Sequence, residues 1–173
     1  MNSSALVIAL RIIHIVSGIF WVGGAMVVAW FVLPSVRALG PAGGPVMNQL
    51  AQVRKLPLRL LTAGWVTVLA GLALYARAGS LNSSAWYTTR AGLTFGIGGV
   101  LGLGVVLMGT FGNLPTARRM GVVAAQLQAS PGQPAPELAA EMQRLQLRLK
   151  RLAETAAILL LIAAIAMAIA RFV

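Results

Sequence analysis

The chain has 173 residues, of which 58% are hydrophobic and 10% charged, with a mean hydropathy of +0.84. A soluble domain has about a quarter of its residues charged, so this balance points to one integral membrane domain over residues 1–173 whose partner is the lipid bilayer. The net charge of +11 does not mark a nucleic-acid binder, because the arginines sit at the ends of apolar runs, where they set topology and meet lipid phosphates. The absence of cysteine excludes disulfides, thiol catalysis and iron–sulfur ligation.

Four apolar runs reach the roughly 20 residues that a span needs: 6–33, 56–76, 85–112 and 152–172. The first exceeds a signal-peptide core and no small-residue cleavage site follows it, so it is expected to be retained. It carries His14, the sole histidine, and Pro34 is expected to end it. Breakers at Gly40-Pro41 and Gly43-Gly44-Pro45 follow, then a short interfacial helix over 46–55. Pro57 occupies the first turn of the second span, where proline is tolerated. A short loop, 77–84, leads to Trp86 and Tyr87, an interfacial aromatic pair opening the third span. That span holds Gly92, Gly96, Gly98 and Gly102, spaced to bring membrane helices close.

The sequence predicts an all-α bundle of four transmembrane helices, with a cytoplasmic helical extension over 113–151. Residues 118–129 read as a polar-faced helix on the membrane surface, and SPGQPAP (130–136) as a linker. Glu137 opens a helix with an apolar seam at Leu138, Met142, Leu145, Leu149 and Leu152, continuous with the fourth span. Ten basic residues flank loops one and three and four flank the other side. Those loops are therefore expected to be cytoplasmic, with both termini outside the bacterial inner membrane. No internal repeat is evident.

An ionisable group inside a span is a functional candidate by default, so His14 is the expected ligand for a haem b iron or a copper ion. The alternative is a packing histidine and no cofactor. The expected neighbours, at the same outer depth, are Arg11, Arg90 and Arg171 to meet haem propionates and Met167 as a second axial ligand. A water, or His14 of a second protomer across a two-fold axis, would serve equally at that position. The expected location lies between the first, third and fourth spans. Imidazole with thioether also suits Cu(I). No aspartate is present, and Glu137, Glu141 and Glu154 lie at the far end, so a serine triad or a dinuclear metal site cannot be built around His14. Glu154 enters the fourth span, and Arg118, Arg119 or Arg59 is its expected partner. The hydroxyls of Ser17, Thr62, Thr67 and Thr94 read as too scattered to line a solute path.

His14, six residues, then Trp21-x-Gly23-Gly24, followed by Phe31, Pro34 and a basic loop, resembles a group of small four-helix bacterial membrane proteins. The group includes the copper-resistance CopD-like domains and the HemJ-like proteins. The motif covers 11–34, with the four-span layout in support. The resemblance implies a haem b or copper role for the first-span histidine, His14. Two functional expectations follow. One is redox chemistry or metal or haem handling at His14. The other is a non-catalytic accessory or assembly subunit in a homodimer or a larger membrane complex.

Overall fold

The computed structural model describes residues 3–129 and 136–173, and among them every regular element is helical. The α-helices are α1 (Ser3–Val27), α2 (Leu33–Ala38), α3 (Gly43–Asn48), α4 (Leu56–Asn82), α5 (Arg90–Met108), α6 (Leu114–Ala129) and α7 (Pro136–Ile169). Among the described residues four helical rods are long and apolar enough to cross a membrane: Ser4–Ala38, Leu56–Asn82, Arg90–Ala129 and Pro136–Phe172. The protein is an all-α four-helix bundle of multi-pass membrane type.

The pairing of side chains across helices fixes the topology. Along α1 and α4, His14 meets Thr67 and Gly71, Trp21 meets Gly64, and Gly24 meets Leu60. Numbers rise on one helix as they fall on the other, so the two are antiparallel. Tyr75 with Gly92, Val68 with Gly102 and Trp65 with Thr110 give the same sense for α4 and α5. Gly98 with Met167 and Gly112 with Leu152 give it for α5 and α7. Since α1 also packs on α7, the four rods close into a ring. Its centre is a layer of one or two residues from each: Trp21, Val68, Val105, Val106, Ala156 and Leu160. Large apolar side chains such as Ile19, Val100 and Ile162 are exposed on the outside, as a bilayer-facing surface requires.

Pro34 does not end the first rod. Helix α1 passes through a π-helical turn at Val28–Val32, where the Leu33 N–H reaches back to the Val28 carbonyl, and runs on as α2 to Ala38. The third rod repeats the device. A π turn at Gly109–Asn113, closed by Leu114 N–H to Gly109 O, precedes Leu114-Pro115 and opens into α6. A widened turn just before each proline re-spaces the carbonyls with which its ring would clash. Residues 118–129 are therefore the end of the third rod, not a separate surface helix. The first rod ends instead at Ala38, where Gly40, with φ +53°, turns the chain into a 3₁₀ segment, and the next break is at Lys55, with φ 52°.

Helix α4 continues to Asn82, six residues past its expected end, and absorbs most of the expected loop before Ser83 turns the chain with φ 82°. Trp86 and Tyr87 then sit in a 3₁₀ turn, Ser84–Thr88. The third rod starts only at Arg90, capped by Thr89 Oγ1, which accepts from the Gly92 N–H at 3.1 Å. Tyr75, Trp86, Tyr87 and Phe95 form an aromatic cluster at this end, with neighbouring centroids 5.2–6.4 Å apart.

Helix α7 runs unbroken from Pro136 into the fourth span, as expected, and packs on α6. Its seam residues Leu138, Met142, Leu145, Leu149 and Leu152 are half-buried, while Arg144, Arg148 and Arg151 are exposed. Val123 of α6 is fully buried. Arg119 holds Glu141 with two bonds, Nε to Oε1 at 2.6 Å and Nη2 to Oε2 at 3.0 Å. Glu154 pairs with Lys150 at 3.6 Å, a residue one turn away on its own helix, and not with Arg118, Arg119 or Arg59. The expected linker falls outside the described residues except for Pro136, the first residue of α7.

Candidate functional site

His14 lies on the face of α1 that meets α4. Its Nδ1 is 2.8 Å from the carbonyl oxygen of Thr67. A carbonyl only accepts, so Nδ1 carries the proton and donates it. Nε2 is left with the lone pair and has no hydrogen-bond partner among the described residues. The contact is possible because Gly71 lies under the ring. A Cβ there would stand 2.8 Å from His14 Cε1, closer than carbon atoms tolerate.

A hydroxyl pair completes the constellation. Thr67 Oγ1 is 2.8 Å from Ser17 Oγ and also 2.8 Å from the Ala63 carbonyl. Ser17 Oγ in turn donates to the Ile13 carbonyl at 2.6 Å. Thr67 is buried, and Gly18 brings the backbone of α1 down onto its methyl group. His14, Ser17, Gly18, Thr67 and Gly71 thus form one packed polar patch between two helices. The two hydroxyls read as scattered because 50 residues separate them. An antiparallel register that pairs Trp21 with Gly64 necessarily pairs Ser17 with Thr67, but the Trp–Gly match is visible only after folding.

The remaining candidates are placed elsewhere on the ring. Met167 packs its Cε and Cγ against Gly98 at the interface of α5 with α7, the edge opposite the α1–α4 pair. Arg90 is exposed at the start of α5. Arg171 is exposed and lies over the Phe172 ring, 4.7 Å from its centroid. Arg11 is exposed on α1, one turn before His14. His14 itself faces the second span, α4, and not the third and fourth.

Gly96, Gly98 and Gly102 of the third rod are covered by neighbours, whereas nothing approaches Gly99 or Gly104 within 4 Å. Tyr75 Oη stands at Gly96, Met167 and Ala163 O at Gly98, and Val68 at Gly102. Gly98 and Gly102, one turn apart, therefore serve two different neighbours, α7 and α4. In the Trp-x-Gly-Gly step only Gly24 admits a neighbour, Leu60, whereas nothing approaches Gly23 within 4 Å. Among the described residues no three of His, Cys, Asp and Glu converge as a metal cage, so a metal at His14 would rely on one protein nitrogen plus exogenous or second-protomer ligands. Comparison with protein-family models, with curated proteins and with solved structures finds no match.

Proposed function

We propose that this is a small integral membrane protein that binds one haem b or one copper ion through His14 Nε2, in redox chemistry or in metal or haem handling. The supporting observation is the commitment of Nδ1 to the Thr67 carbonyl. Histidines that ligate metals donate their other ring N–H to such an acceptor, which fixes the tautomer and the ring plane. The Gly71 recess and the Thr67–Ser17 pair hold the ring in that pose. Because His14 faces α4 and not the third rod, a flat cofactor would sit on the flank of α1, with Arg11 nearest for a propionate. Met167 is engaged at the opposite edge, which favours a water or a second protomer's His14 in the other axial position.

In this reading the protein sits in a bacterial inner membrane with the basic end of the bundle in the cytoplasm and both termini outside. A reporter fused after Val173 tests the orientation; activity confined to the cytoplasm would reverse it. The cofactor test compares wild type with His14→Ala, both purified folded after growth with haem and copper supplied. The expected result is a Soret band or bound copper in wild type alone. No cofactor in either, or equal amounts in both, would leave His14 as a packing residue.

A second reading, an accessory subunit, is favoured by the α6–α7 hairpin. Its face bearing Arg144, Leu147 and Arg148 is exposed, as a docking surface for a larger complex would be. Crosslinking in intact membranes, read by mass, distinguishes it.

A further inference from the structure

At the basic end of the bundle, two hollows meet at the start of α4, the larger between α1 and α4 and the smaller between α4 and α6. The larger, about 540 Å³, is an open groove lined by Ser17 and Phe20 of α1 and by Thr62, Ala63 and Val66 of α4. The smaller, about 210 Å³, reaches Leu114, Ala117 and Arg118 of α6. Lys55 and Leu58 line both, and Arg59 lines the larger. We propose that this groove holds an anionic phospholipid of the adjacent leaflet. Its phosphate lies among Lys55, Arg59 and Arg118, and one acyl chain lies along α4 past Thr62 to Val66.

Three features carry the assignment. The first is length. From Lys55 to Val66 an α-helix rises about 16 Å at about 1.5 Å per residue, which is half of a hydrocarbon core of about 30 Å, the depth of one leaflet. The second is the lining. The two hydroxyls within the groove are turned back onto their own helices, Ser17 to Ile13 O at 2.6 Å and Thr62 to Leu58 O at 2.9 Å. The walls therefore offer no unmet polar group to a polar solute and suit an acyl chain.

The third is charge. The chain has three acidic residues against fourteen basic ones. Glu141 and Glu154 are taken by Arg119 and Lys150. Lys55, Arg59 and Arg118 have no acidic partner among the described residues; Lys55 and Arg59 line the groove, and Arg118 lines the neighbouring hollow that shares Lys55 with it. The left-handed backbone of Lys55 (φ 52°, ψ 35°) turns the chain into α4 there, and no side chain caps that helix. In its first turn Pro57 has no N–H and the Arg59 N–H is held by the Lys55 carbonyl at 3.0 Å, so the anion would be met chiefly by the side-chain cations. A free phosphate would satisfy the cations but leave the groove unused.

The test uses the full chain, purified in mild detergent and stripped of lipid, with dioleoyl phosphatidylglycerol and dioleoyl phosphatidylcholine as probes and bound lipid counted by native mass spectrometry. Wild type should prefer phosphatidylglycerol. The double variant Lys55→Gln/Arg59→Gln should bind it about 25-fold more weakly, about five-fold per cation, with phosphatidylcholine binding unchanged. Val66→Trp, which fills the groove and keeps the cations, should weaken both lipids. Arg144→Gln/Arg148→Gln removes the same charge from the exposed face of α7 and should change neither. All variants are compared at matched helical content by circular dichroism. The proposal fails if the groove double variant binds phosphatidylglycerol as wild type does. It also fails if the α7 double variant loses as much, if Val66→Trp is without effect, or if glycerol phosphate displaces the lipid at equal concentration. The test does not depend on whether His14 holds a cofactor.

Discussion

The imidazole of His14 occupies the place where Gly71 lacks a side chain. A Cβ built on Gly71 would stand 2.8 Å from Cε1 and 3.0 Å from Nδ1. Gly71→Ala must therefore push the ring off the Thr67 carbonyl. Overpacking of this kind costs about 1–3 kcal/mol, which a lower melting temperature in detergent would register. If His14 is a ligand, the same variant should also lower cofactor occupancy per folded protein.

Trp21 is 6% exposed and is the largest residue of the central layer, with its indole set into the recess left by Gly64. Trp21→Ala should cost about 3–5 kcal/mol, as large-to-small changes in packed cores do. Gly23→Ala, two residues on, meets nothing within 4 Å. It should shift stability by less than about 0.5 kcal/mol. Thermal melts of the two variants side by side check both the recess and the open face.

The Arg119–Glu141 pair gives the α6–α7 hairpin a pH dependence. The bidentate hydrogen bond from Arg119 is the main cause that holds the Glu141 carboxyl below its usual range, and it raises the Arg119 guanidinium. A depressed carboxylate contributes stability above the ordinary Glu range, and that stability is lost as pH falls through the folded-state value. Protection of α6 and α7 amides from hydrogen exchange should therefore weaken as pH falls through and below that range. Arg119 adds nothing to this window, since its own loss would come only at very high pH. Arg119 is exposed and Glu141 half-exposed, so salt should mimic acid, and Glu141→Gln should abolish the pH effect.

Leu145 lies half-buried on the α7 seam, whereas Leu147 is 44% exposed. Leu145→Asp should cost roughly 2–4 kcal/mol, the cost of a charge left among apolar neighbours without a partner, and Leu147→Asp should cost little. Equal melting temperatures for the two would mean that the seam does not carry the hairpin.

The count of spans, the seam on α7 and its continuity with the fourth span were legible because hydropathy and a 4-3-4-3 spacing are local signals. The π turns were not. Proline before a basic loop reads as a stop, and only the tertiary packing of Ala29 and Thr116, both buried, shows the helix continuing through Pro34 and Pro115. The length of α4 was missed for a related reason. Arg77 and the polar residues after it read as loop, yet Gly79 is buried beneath the Tyr87 ring, a contact that no local pattern announces. His14 was visible as the one ionisable group deep in a span. Its partners Thr67 and Gly71 were not, because a backbone carbonyl and a missing side chain leave no mark of their own in a sequence.

Pro34 and Pro115 also share one level of the bundle. Neither has an N–H, so each rod must re-space the carbonyls of the preceding turn, and the π turn is the local adjustment that does so. Both prolines follow a π turn, and both lie toward the same end of rods that run in the same direction. Together they mark one level across the basic end of the bundle. His14 lies about 30 Å from Pro34 along the helix at about 1.5 Å per residue, about the full thickness of the hydrocarbon core. The imidazole therefore stands toward the end of the bundle opposite the two prolines and the basic loops.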